Sequence, residues 1–217
     1  MTHSSFDREP DVTQVGDSDE AVWNERYASA ERVWSGETNV ALVAEVSHLQ
    51  PGRALDVGCG EGADVVWLAS RGWDVTALDV SHVALQRAAI AAEQSGLRVK
   101  WIHAGLVEAK LTSGDFDLVS AQYPALRRTP SHEAERTLIG AVALGGRLIV
   151  VHHADVDVEA AKAHGCDPAD YVGVADVAEL LDQDWQVQLD ERRPRTVTSG
   201  AGAHHTHDVV LNALRLK

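Results

Sequence analysis

Cysteine is scarce in this 217-residue chain: there are two, Cys59 and Cys166, and they do not form a close pair. That excludes a paired-cysteine zinc knuckle or a redox dithiol and fits a reducing, cytoplasmic setting. Long apolar runs are missing as well. Nothing approaches the roughly 20 residues needed to span a bilayer, and Met1 to Glu20 has no apolar core of the signal-peptide kind. Positive charge is in deficit, with 19 Lys and Arg against 33 Asp and Glu and a net charge of -14. Phosphate contacts supply most of the affinity for nucleic acids, so such a chain points to no nucleic-acid partner and to small-molecule chemistry. The length suits one domain with one sizeable core.

Residues 1–19 are polar and acidic, with Pro10 and scattered Ser and Gly, and are expected to be a disordered tail. A single domain is expected over residues 20–217, with helices in 20–50 forming an N-terminal part. One helix is predicted over Glu20 to Val33, broken by Trp34-Ser35-Gly36-Glu37. Asn39 is placed to cap a second helix from Val40 to Leu49. From Arg53 onward strand and helix alternate, the pattern of a parallel sheet covered on both faces. Strands are predicted at Arg53–Val57, Asp74–Asp79, Val99–His103, Asp117–Ser120 and Arg147–Val151, and two more at Trp185–Leu189 and His207–Leu214. Ser81 is placed to cap the helix after the second strand, and the helix after Ser131 is expected to end near Leu144-Gly145-Gly146. The fold class is therefore α/β, a doubly wound and mostly parallel sheet of seven strands.

The stretch Asp56-Val57-Gly58-Cys59-Gly60-Glu61-Gly62 carries the chemistry. An apolar strand leads in and a helix leads out. The glycines supply torsions that side chains forbid and leave bare backbone for a ligand. Gly58-Cys59-Gly60 with Ala63 also satisfies a loose dinucleotide fingerprint, so NAD is an alternative ligand. That fingerprint seats a pyrophosphate on the helix N-terminus, where Glu61 and Asp64 now add negative charge. A ligand with a sulfonium and an ammonium group and no phosphate suits the turn better: S-adenosylmethionine (SAM). Asp79 closes the second strand 23 residues after Asp56, where a nucleoside ribose would lie, although a strand-end cap is the plainer role for it.

Asp56 to Gly62, Asp79, Asp117-Leu118-Val119-Ser120 and Gly145-Gly146 together resemble the class I SAM-dependent methyltransferases. The likeness runs from about Glu20 to the C-terminus and implies their Rossmann-like sheet with an antiparallel last strand. Trp23-Asn24-Glu25-Arg26-Tyr27 and Val33-Trp34-Ser35-Gly36 look more specifically like the tellurite-resistance and thiopurine methyltransferase-like branch, in which the N-terminal helices cover the cofactor. The resemblance implies that Gly58 and Gly60, with Cys59 between them, leave room for the methionine and ribose parts. It implies that Asp56 orients the turn and favours the ammonium group, Asp79 binds the ribose hydroxyls and Val80 packs on adenine. Gln122 would lie beside the methionine moiety, under Tyr27 and Trp34. One departure stands out. After the third strand the family often has an acid for the adenine amino group, and here the chain reads His103-Ala104-Gly105-Leu106, leaving main-chain groups near Leu106 to read that edge.

Methyl transfer asks the protein to align acceptor, methyl and sulfur and, for a hydroxyl acceptor, to remove a proton. A sulfur, selenium or tellurium anion needs no base. His152 and His153 follow the fifth strand at the ligand-binding edge of the sheet, and alternation along a strand turns only one of them to the site. Tyr123 is a further candidate to touch the acceptor. His204, His205 and His207, with His152 and His153, offer an alternative divalent-metal site, but solvated histidines are commoner, so no metal ligand is assigned. A non-catalytic SAM-binding protein and an NAD(P)-dependent oxidoreductase remain the rival classes. Oligomeric state stays open between monomer and homodimer.

Overall fold

The computed structural model describes residues 14–163, 167–197 and 199–217; Cys166 and most of the acidic N-terminal stretch lie outside them. Two helices, α1 (Gln14–Ala28) and α2 (Val40–Val46), lead into β1 (Arg53–Val57), α3 (Ala63–Ser70), β2 (Asp74–Asp79), α4 (His82–Gln94) and β3 (Lys100–His103). Then follow β4 (Phe116–Gln122), α5 (Glu133–Ala141), β5 (Val142–His153), α6 (Val158–Ala163), α7 (Val174–Glu179), β6 (Trp185–Pro194) and β7 (His207–Arg215).

The strands form one sheet in the order β3-β2-β1-β4-β5-β7-β6. Pairs from β3 to β5 are parallel, and β7 runs antiparallel to both its neighbours. This is the doubly wound, mostly parallel seven-stranded sheet that the strand–helix alternation predicts. The central strands read as apolar runs because helices cover both faces. Leu55, Leu118, Leu148 and Ile149 are fully buried. One face packs with Leu138 and Val177, the other with Leu42, Val65 and Leu68. Strand order reverses between β1 and β4, so the carboxyl ends of β1, β2 and β4 converge at the crevice where open α/β sheets bind ligands.

Several boundaries move, each for a local reason. Helix α1 starts at Gln14, inside the stretch expected to be a disordered tail, and stops at Ala28 rather than Val33. It stops because the following backbone is captured elsewhere: Ala30 O accepts from Arg87, and the Val33 and Trp34 N–H groups donate to Glu61. Helix α2 ends at Val46, where Ser47 Oγ donates back to Val43 O. Asn39 precedes α2 in extended conformation but does not cap it; its side chain goes to Asp64 instead. Ser81 does cap α4, accepting from Ala84 N at 3.2 Å. The largest correction concerns Gly145-Gly146. They lie inside β5, not at a helix end, because the chain passes directly from α5 into the strand. A Cβ on Gly146 would meet Phe116 O at 3.0 Å and Ala143 O at 2.9 Å, so this glycine permits a close backbone crossing where β4 and β5 shift register.

Candidate active site

The turn after β1 is left-handed at Gly58, Gly60 and Gly62, with φ of +68°, +54° and +84°. A side chain at any of the three would be strained. Gly58 N and Cys59 N both donate to Leu78 O, at 2.8 and 3.0 Å, which ties the turn to the end of β2. Asp79 completes the tie. Its Oδ2 accepts from Gly60 N and its Oδ1 from Ser81 N, each at 2.8 Å. The strand-end carboxylate thus shapes both the glycine turn and the start of α4, and its remaining lone pairs lie where those two elements meet.

Two buried acceptors near the turn have no protein partner: Asp56 Oδ2 and Gln122 Oε1. Gln122 Nε2 donates to Ser120 Oγ at 3.1 Å, which fixes the amide with its oxygen left over. Burial, reinforced by the Asp64 and Asp79 carboxylates, pushes the Asp56 carboxyl well above the usual carboxylate range. A cationic group beside it would relieve that cost. Unpaired buried acceptors of this kind suit an ammonium donor, and the bare turn suits a ligand lying along it. The residues present therefore fit SAM.

This buried carboxyl sets a testable pH dependence. A carboxyl raised above its unfolded pKa of about 4 adds stability that is complete below that value and is lost as pH rises through the folded one. Asp56→Asn removes this titration. Its melting temperature in the absence of ligand is therefore expected to rise relative to the unsubstituted protein between pH 4 and pH 8. Melting curves across that range check it, and a constant difference would contradict the assignment.

Glu61 and Asp64 play a different part from the one their position suggested. Glu61 pairs with Arg87 at 2.8 Å and accepts from Val33 N and Trp34 N. Asp64 accepts from Asn39 N at 2.8 Å and Asn39 Nδ2 at 2.7 Å. Both acids hold the N-terminal segment down on the turn; Arg87 compensates the charge of Glu61, while Asp64 is hydrogen-bonded to neutral Asn39 and its carboxyl is raised by burial. The case against a pyrophosphate then rests on the unpaired acceptors, not on these two charges. Arg87 Nη2 also donates to Tyr27 O and Ala30 O, so one guanidinium gathers the end of the cover. Tyr27 and Trp34 come together as expected. Trp34 Nε1 donates to Tyr27 OH at 2.9 Å, and a Cβ on Gly60 would stand 3.0 Å from that hydroxyl.

The remaining cofactor-side residues divide. Val80 O lies 3.0 Å from His103 Nε2 at the rim. The Leu106 side chain is buried in the core, which leaves only its main chain for recognition. Cys59 is half-buried, and burial with Asp79 and Asp56 nearby pushes its thiol up, so it stays protonated and is no nucleophile. Gly105 holds a surprise. A Cβ there would collide with the Glu108 carboxylate, so an acid does stand beside this position, three residues further on. Its spacing from Gly105 within one turn was the only signal available.

On the acceptor side, Tyr123, His153, His205 and His204 stack in sequence, with ring centroids 4.3, 3.8 and 4.0 Å apart. His153 Nδ1 is 3.3 Å from Asp208 Oδ1, and Tyr123 OH donates to Asp208 Oδ2 at 2.8 Å. Buried Arg195 donates to the same tyrosine oxygen. Burial and the Asp208 hydrogen bond push the Tyr123 phenol above its ordinary range, so it remains a neutral positioning group. His152, on the opposite face of β5, is half-buried with its enclosed Nε2 unpartnered, and desolvation pushes it down to about 4. His207 Nδ1 pairs locally with Thr206 Oγ1 at 2.9 Å. The histidines of this end are stacked or dispersed over both faces of the strand.

A loop links this side to the cover. Ala201 N donates to Val33 O at 3.0 Å, and a Cβ on Gly200 would strike the Trp34–Ser35 backbone. Gly202 leaves open space beside His153 Nε2, which a Cβ there would approach to 3.4 Å. Sequence reading missed Arg195 and Asp208, since neither stands near a motif; β6 and β7 bring them in.

Residues 54–144 match a family model described as a methyltransferase domain. An uncharacterized methyltransferase of Mycobacterium tuberculosis is 36% identical over 97 residues, covering 45% of this chain and 48% of that protein. The chain thus spans about half the length of the curated relative it matches. Among solved structures, one concerned with conversion of a disulfide bond into a thioacetal group during echinomycin biosynthesis superposes with a TM-score of 0.72 at 20% identity, covering 91% of this chain and 92% of that one. TehB from Haemophilus influenzae superposes at 0.59 and 17% identity, covering 81% of this chain and 61% of that one. At such identities these structures speak to the fold. Over residues 54–144, then, the chain carries a methyltransferase domain.

Proposed function

We propose that this protein is an enzyme that transfers the methyl group of SAM to a hydroxyl of a small metabolite, with His153 as general base. The observation that carries the reading is the His153–Asp208 pair at the carboxyl edge of β5, stacked on Tyr123, whose chain neighbour Pro124 stands 3.8 Å from the Cβ position of Gly58. SAM held along the turn would supply an electrophilic methyl on its sulfonium, with the thioether as leaving group. Asp56 and Gln122 would hold the amino-acid portion, Asp79 the ribose, and Glu108 beside Gly105 would receive the adenine amino group. Asp208 keeps the Nδ1 proton of His153 in place, so that Nε2 accepts the acceptor's proton as its oxygen attacks the methyl carbon. Tyr123, locked between Asp208 and Arg195, holds the imidazole face. The cover and the 199–205 loop exclude water from the transfer.

The charge of -14 supports a small acceptor over a nucleic acid. Among the described residues no helix is long and apolar enough to cross a membrane, in keeping with a reading as a cytoplasmic enzyme. Calorimetry with S-adenosylhomocysteine and with NADH tests the cofactor assignment, and radiolabelled methyl transfer to a panel of hydroxyl, carboxylate and thiol metabolites tests the reaction. Binding of S-adenosylhomocysteine and labelling of a hydroxyl compound are expected. NADH binding without S-adenosylhomocysteine binding would overturn the reading.

A further inference from the structure

Away from the transfer site, three side chains from three separate elements meet at the rim of the cover. Glu20 of α1, His82 at the first position of α4 and His103 at the end of β3 bring one ligand atom each to within 4.8 Å of one another. Glu20 Oε1 is 3.4 Å from His82 Nδ1 and 3.2 Å from His103 Nε2. Metal–ligand bonds of 2.0–2.1 Å in a tetrahedron place neighbouring ligand atoms about 3.3 Å apart, so both spacings match the edges of a zinc polyhedron. We propose that Glu20, His82 and His103 bind one divalent cation of the zinc class, which fastens the N-terminal cover to the cofactor side of the sheet.

The donor set is two imidazoles and a carboxylate, which suits zinc and its neighbours and not calcium or magnesium. The site is preorganised. Asn24 Nδ2 donates to Glu20 Oε1 at 3.3 Å, while Asn24 Oδ1 accepts from Ser81 Oγ at 2.7 Å, so the helix carrying the carboxylate is already docked on the element carrying His82. A hydrogen bond to a ligating carboxylate is the usual outer support of such a site. All three ligands are partly exposed, leaving a route for the ion and room for water as a further ligand. Val80 O lies 3.0 Å from His103 Nε2, so loading the cation requires the tautomer that carries its proton on Nδ1 and frees Nε2 from that carbonyl. The functional consequence follows from what α1 carries: the same helix bears Tyr27, whose hydroxyl lies over Gly60. A cation linking residue 20 to residues 82 and 103 clips a long chain loop and holds that lid in its closed position.

Isothermal calorimetry of Zn2+ into the chelator-treated full chain is the test, with melting curves alongside. One equivalent is expected to bind and to raise the melting temperature by about 5 °C at saturating metal. His82→Ala and His103→Ala are each expected to weaken binding beyond the roughly 10- to 100-fold that loss of an outer-shell partner costs, and to abolish the thermal shift. These positions are partly exposed, and circular dichroism verifies that both variants fold. Glu20→Gln, which keeps the shape and removes the charge, provides a third reading of the same site. His204→Ala is expected to bind Zn2+ as the unsubstituted chain does. Absence of stoichiometric binding, binding that survives both histidine substitutions, or loss only in His204→Ala would overturn the proposal and leave an ordinary carboxylate–imidazole ion pair.

Discussion

Asp79→Asn is expected to weaken S-adenosylhomocysteine binding by about 10- to 100-fold. Both carboxylate oxygens accept backbone N–H groups, from Gly60 and from Ser81. An amide has one acceptor oxygen and one donor NH2, so one of those N–H groups would face another donor. Hydrogen bonds to a charged acceptor contribute about 1.5–3 kcal/mol each, and about 1.4 kcal/mol is tenfold in affinity. The glycine turn would loosen, and the ribose would lose its anionic partner. Burial, opposed by hydrogen bonds from Ser81 and Gly60, leaves the Asp79 carboxyl raised in the folded state, so a neutral replacement relieves that cost in the ligand-free protein while leaving one buried N–H unpaired. Calorimetry and melting curves on the same sample separate the two effects, and unchanged affinity would remove Asp79 from the cofactor site.

His153→Ala is expected to lower kcat by about 10²- to 10⁴-fold, the range of a lost general base, with S-adenosylhomocysteine affinity unchanged. His152→Ala is expected to do something else: lower the melting temperature and leave kcat within a few-fold. The reason is their placement on opposite faces of β5. His153 sits between Tyr123 and His205 with Asp208 on Nδ1, whereas His152 is half-buried and held down at about pH 4 by desolvation and by His153. A folded pKa depressed below the usual value of about 6.5 means that His152 adds stability above that pH, lost as pH falls toward 4. The melting-temperature gap between His152→Ala and the unsubstituted chain should therefore shrink on acidification. Unchanged turnover in His153→Ala would point to a soft sulfur, selenium or tellurium acceptor that needs no base.

The cofactor side was largely legible in the chain because its signals are local. Three glycines in five residues demand a left-handed turn, the apolar run before them demands a buried strand, and an acid ending the next strand falls beside that turn in a doubly wound sheet. The parallel pairing of β1 to β5 follows from the alternation of elements, since parallel neighbours require helical crossovers. Boundaries were less legible where distant groups capture the backbone. Helix α1 ends at Ala28 because Arg87 and Glu61 take up residues 30–34, and neither lies near them in sequence.

Charge was the least legible property. Glu61 and Asp64 read as acids facing a ligand, yet they clamp Val33, Trp34 and Asn39, because a side chain's partner depends on which loop the fold lays against it. The same holds for the acceptor side. Arg195 and Asp208 flank the turn region of β6 and β7, and only the antiparallel return of β7 beside β5 sets them against Tyr123 and His153. The amino-acid order alone thus dictated the sheet and the glycine turn, since these depend on periodicity and backbone torsions. Tertiary structure decided which histidine can take a proton, which acids hold the cover, and that Glu20, His82 and His103 meet, because those depend on contacts between residues about 20 to 110 positions apart, whose distances no local pattern sets.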